Sequence, residues 1–128
     1  MATHYNDLDD GESAYIECAL WSSTDNADDS GGEPLDKNYG PEDFDDASLR
    51  GLLADWARFY EANRDDIGHE IEKAAHDLWL TRNGHGSGFW DREDAEYGSA
   101  EARDRLDAAS RKFGEVDIYV GDDGKLYT

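Results

Sequence analysis

The chain has 128 residues, enough for one domain with a real core and too few for two comfortable ones. Its 12 Lys/Arg against 32 Asp/Glu give a formal charge of -20 at pH 7, which excludes direct binding to nucleic-acid backbones or anionic membranes, since each phosphate contact needs a cation. A single cysteine, Cys18, excludes an intrachain disulfide and a multi-cysteine zinc site. With no apolar run near ~20 residues and no basic leader before an apolar stretch, the expectation is a soluble cytoplasmic protein.

Charge is uneven along the chain. Residues 1–48 carry 14 acids against Lys37 alone, and Asp doublets recur at 9–10, 28–29, 45–46, 65–66 and 122–123. Residues 1–12 read as a loose polar arm. Ser13 to Ser22 places Tyr15, Ile16, Ala19 and Leu20 on one helical face, with Trp21 at the end. Residues 25–41 hold Gly31, Gly32, Pro34, Gly40 and Pro41 with few apolar residues, and read as a long acidic loop. Asp45 or Asp46 caps a helix to about Asn63, whose Leu49, Leu52, Leu53, Trp56, Phe59 and Tyr60 follow the i, i+3, i+4, i+7 stripe of a core-facing element. Asp65 or Asp66 then caps a third helix, burying Ile67, Ile71, Ala74, Ala75 and Leu78.

Asn83-Gly84 is a strong two-residue hairpin signal, which predicts paired strands over 78–82 and 85–91. Ser99 starts a further helix with Ala102, Leu106, Ala109 and Phe113 inward and Gly114 as its stop. Val116, Ile118 and Val120 alternate as a strand, Asp123-Gly124 turns, and Leu126–Thr128 returns. The fold expected is a single α+β domain: an antiparallel sheet of about four strands in two hairpins, packed against about three or four helices.

No reaction is spelled out. Gly84-x-Gly86-x-Gly88 has neither the spacing nor the helix N-terminus of a phosphate loop. His4, His69, His76 and His85 lack any spacing that forces metal ligands together, so no metal or cofactor is expected. Cys18 lies on an apolar stripe in the most acidic third of the chain, where a thiol is inert. Asp122-Asp123-Gly124 lacks the other ligands of a calcium loop and reads as a turn.

The most distinctive stretch is Trp79-Leu80-Thr81-Arg82-Asn83-Gly84-His85-Gly86-Ser87-Gly88-Phe89-Trp90-Asp91. Either its aromatics fill the core and Arg82 pairs with a local carboxylate, or its glycines admit a ligand against Arg82, Asn83, His85, Trp90 and Asp91. Together with Ala19-Leu20-Trp21-Ser22-Ser23, Phe113-Gly114-Glu115-Val116-Asp117 and Tyr119-Val120-Gly121-Asp122-Asp123-Gly124-Lys125, this stretch resembles a family of small acidic proteins encoded by bacteriophages and prophages. The resemblance implies a phage origin and expression inside a host cell, and it brings no catalytic residues.

Charge and resemblance together point to a non-enzymatic binding protein that inhibits or modulates a host protein handling nucleic acid, such as a defence system. Its carboxylates would occupy a basic surface in place of phosphates. The acids expected to make that contact are Glu42, Asp43, Asp45, Asp46, Glu61, Asp65, Glu70 and Glu72. The alternative is a small-ligand or metal-assisted site on the glycine-rich hairpin around His85.

Overall fold

The structure is a computed structural model and describes residues 8–25, 33–84 and 88–128. Four helices, α1 (Asp10–Ser22), α2 (Asp46–Ile67), α3 (Ile71–Arg82) and α4 (Ala100–Arg111), carry the architecture. Strands β1 (Thr24–Asp25) and β2 (Glu33–Pro34) form one antiparallel pair, and β3 (Tyr119–Val120) and β4 (Leu126–Tyr127) form another. The expected α+β sheet of about four strands is therefore corrected to a helical domain trimmed by two separate two-residue pairs.

The largest difference from the expected fold lies at Asn83-Gly84. That dipeptide makes a hairpin only when strands flank it, and here the residues before it keep helical spacing: Ala74, Ala75, Leu78 and Trp79 are all buried in α3. Gly84, at φ 68°, ends the helix instead, its N–H donating to the Thr81 carbonyl. Beyond it, Phe89–Asp91 is a short 3-10 turn, not a return strand. Residues 85–87, including His85, lie outside the described residues.

Other boundaries moved for local reasons. Asp9 and Glu12 form a reciprocal capping box, so α1 starts at Asp10 and the last residues of the expected arm are helical. The α2 helix runs past Asn63, where φ/ψ of -124°/17° kinks it and the Asn63 amide donates to the Phe59 carbonyl. It stops only at Gly68, at positive φ, so Asp65 and Asp66 lie within α2 and do not cap α3. Within the expected 25–41 loop, Leu35–Lys37 is a 3-10 turn, with another at Pro41–Asp43. Ser99 caps α4 as its sequence implies, accepting from the Ala102 N–H at 3.1 Å.

At the C-terminus, Asp123-Gly124 does turn between paired strands, with Tyr119 opposite Tyr127 and Val120 opposite Leu126. The predicted strand from Val116 shortens to Tyr119–Val120 because Val116 donates its N–H to the Asn83 side chain and not to a neighbouring strand. The returning strand reaches the start of α2: Asp45 N–H donates to the Leu126 carbonyl at 2.8 Å, and Thr128 N–H to Ser48 Oγ at 3.2 Å.

The core is aromatic along its length. Trp79 meets Tyr15 edge-on at 5.7 Å, Tyr15 stacks on Trp56, and the series continues through Phe59 and Phe89 to Tyr97. The indole N–H of Trp79 donates to Ser22 Oγ at 2.7 Å, so this fully buried ring leaves no polar atom unpartnered. Gly11 lets α1 approach this series, because a Cβ there would sit 2.7 Å from Trp56 Cζ2. Gly11→Ala gains about 1 kcal/mol of helix propensity, but overpacking against the Trp56 ring costs about 1–3 kcal/mol. The clash should win. A urea midpoint below wild type is the expected result, and a higher midpoint would show that α1 can shift.

Candidate functional site

Arg82 and Asn83 of the expected ligand stretch are tied into the scaffold. Arg82 is buried beneath α1 and α2, and its guanidinium is almost fully engaged. Nη1 donates to Tyr15 Oη at 2.9 Å and Asp55 Oδ2 at 2.8 Å, Nε to the Gly114 carbonyl at 2.8 Å, and Nη2 to the Phe113 carbonyl at 3.1 Å. The Phe113 ring lies 5.4 Å from its central carbon. Burial works against the charge, yet the Tyr15 oxygen and the Asp55 carboxylate outweigh it and raise the Arg82 pKa. Burial likewise pushes the Tyr15 hydroxyl up to about 12, against the pull of Arg82.

Asn83 completes the junction, its Nδ2 donating to the Trp79 carbonyl and its Oδ1 accepting from Val116 N–H at 2.8 Å. The group that approaches the Gly88 backbone is the chain's own Thr81, whose Oγ1 accepts from Phe89 N–H at 3.0 Å. Of the five residues proposed for a ligand, Arg82 is thus buried, Asn83 is half-buried and bonded within the chain, Trp90 and Asp91 are exposed, and His85 is not described.

A second buried network was not foreseen. Asp77 is fully buried and accepts from Arg92 Nε and Nη2 at 2.9 and 2.8 Å and from Tyr97 Oη at 2.6 Å. These hydrogen bonds raise the Arg92 pKa, and burial followed by the Asp77 charge raises that of Tyr97. The sequence signal was an aspartate between Ala74, Ala75 and Leu78 on the buried side of a helix, a position that requires a partner.

Five of the eight acids expected to face a partner have bonds within the chain. Asp43 accepts the Gly40 N–H, and Asp45 caps α2 through the Ser48 N–H, so both have local structural duties. Asp46 pairs with Arg50, Glu61 with Arg64, and Glu70 with Lys73. Glu42, Asp65 and Glu72 are exposed.

The same pattern extends to every arginine of the chain. Arg58 and Arg82 share Asp55, Arg92 holds Asp77, Arg103 holds Asp104, Arg105 holds Asp66, and Arg111 holds Asp107. The Arg105 hydrogen bonds, at 2.9 and 2.7 Å, tie α4 to α2 and hold the Asp66 carboxyl below its usual range.

Two of the clefts on the described surface are lined by a tryptophan. One of about 260 Å3 is lined by Asp9, Asp10, Gly11, Trp56, Tyr60 and Ile71. The other, about 250 Å3, is lined by Glu17, Cys18, Trp21, Asp36 and His76. Burial, followed by the Asp77 charge, pushes the Cys18 thiol up to about 12, which disfavours the thiolate that a nucleophile requires. His69 and His76 are both exposed, and among the described residues no three His, Cys, Asp or Glu side chains converge as metal ligands. Among those residues, too, no helix is long and apolar enough to cross a membrane. Compared with known proteins, the chain matches no family model, no curated protein and no solved structure.

Proposed function

We propose that this chain is a non-enzymatic, phage-encoded acidic protein that binds the basic surface of a host protein handling nucleic acid, and inhibits or modulates it. The observation that carries the reading is the internal pairing of every arginine. With its guanidinium groups tied to its own carboxylates, the chain offers a partner mainly the excess of acid. Exposed carboxylates such as Glu42, Asp65, Glu72, Glu101 and Asp117 then present negative charge on several elements of the fold. Such a surface competes with phosphates for Lys and Arg, associates quickly through steering, and weakens with salt.

The test is capture from host lysate by the full chain, followed by elution with salt or with duplex DNA. Nucleic-acid-handling proteins released by both are expected; retention insensitive to both overturns the reading. The structure also improves the choice of variant, because Asp43 and Asp45 should be left in place as caps. Replacing Glu42, Glu61, Asp65 and Glu72 together by Gln or Asn should weaken capture roughly tenfold, or ~1.4 kcal/mol, with a shallower salt dependence. Its urea midpoint should stay near wild type, since surface changes of this kind are worth about ±0.5 kcal/mol each. Full capture by that variant would sink the proposal.

A further inference from the structure

Trp21 is the most solvent-exposed large apolar side chain among the described residues, at 60%. It stands four residues after Glu17 on α1, so the two share an outward face. Asp36, from the 3-10 turn Leu35–Lys37, and His76, from α3, complete the pocket of about 250 Å3 around the indole. That volume lies below the range of about 300–1,000 Å3 typical of small-molecule clefts and suits a single long side chain.

Two carboxylates beside an exposed indole are the elements that recognise a guanidinium: the ring face attracts the cation, and the carboxylates accept its N–H groups. Elsewhere the chain fills this arrangement itself, with Arg58 and Arg82 over Phe113 and Arg64 over Tyr60. At Trp21, whose ring type binds cations best, none of the described cations does so.

We propose that the Trp21 pocket receives one arginine side chain of the partner, its guanidinium laid on the indole and hydrogen-bonded to Glu17 and Asp36. The proposal rests on the acidic-docking reading and adds to it a fixed anchor, around which the diffuse charge of the surface can be oriented.

An oligoarginine peptide and its uncharged oligocitrulline counterpart serve as probes, with affinity read by calorimetry on the full chain at low salt. Oligoarginine should bind and oligocitrulline should not. Trp21→Ala should weaken oligoarginine binding about fivefold, or ~1 kcal/mol, while Trp90→Ala, at the other exposed indole, should leave it unchanged. The exposure of Trp21 means that its removal should not disturb the urea midpoint. If oligoarginine binds wild type and Trp21→Ala equally, or if Trp90→Ala loses as much, the pocket proposal fails and acidic docking survives. If oligoarginine does not bind at all, both fail.

Discussion

Arg82→Ala should lower the stability of the chain by about 3–5 kcal/mol, the range seen when one partner of a buried ion pair is removed. Against a total of about 5–15 kcal/mol for a domain, that is a large share. The loss has several sources. The Tyr15 hydroxyl, in a residue with no exposed surface, loses its donor, and so do the carbonyls of Phe113 and Gly114. Asp55 retains Arg58, which moderates the charge imbalance.

Arg82→Lys is a sharper probe than alanine. An ammonium keeps the charge but lacks the planar fork that reaches a hydroxyl, a carboxylate and two carbonyls at once. It should recover less than half of the loss in urea unfolding. Full recovery by lysine would mean that charge alone, and not this four-acceptor geometry, holds the end of α3 to the segment after α4.

The second large effect is expected at Asp77. Asp77→Asn keeps the shape but replaces a carboxylate that accepts three hydrogen bonds with an amide that must turn one N–H2 group toward Arg92 or Tyr97. Because the Arg92 side chain is 32% exposed and can reach water, the loss should lie at the low end of the buried-pair range, about 3 kcal/mol. Tyr97→Phe removes a single hydrogen bond to the same carboxylate and should cost about 1.5–3 kcal/mol, the range for a bond to a charged group. The two changes together should fall short of the sum of the separate losses, as expected of residues sharing one network. Additive losses in a double-mutant cycle would show that the tyrosine and the carboxylate act independently.

Much of the helical framework could be read from the sequence, because burial imposes a period. The α2 stripe from Leu49 to Phe59 and the α1 face of Tyr15, Ile16, Ala19 and Leu20 are buried as their spacing implies. The failures cluster where one local signal has two uses. Asn-Gly is favourable both in a tight hairpin turn and just beyond a helix end, and only the helical spacing before it decides between them. Asp65-Asp66 resembles a cap, yet α2 continues until Gly68 stops it.

The expected ligand residues Arg82 and Asn83 stand out in sequence for the same reasons that make them structural: a long donor and an amide next to aromatics. Their acceptors come from α1, α2 and the segment after α4, so no local pattern reveals the pairing. Which surface acids are engaged by neighbours is equally a matter of three-dimensional proximity, as the bond between Arg105 and Asp66 across 39 positions illustrates.

The retention of arginines by the chain's own carboxylates has a consequence for how ionic conditions act on it. Added electrolyte screens the mutual repulsion of exposed acids, while the Arg82 and Asp77 networks, shielded by protein, are much less affected. Folding therefore tightens as salt rises, over the same range in which attraction to a basic partner fades. A concentrated ionic medium favours the solitary molecule and a dilute one favours the complex, so fold and association are tuned in opposite directions by a single variable.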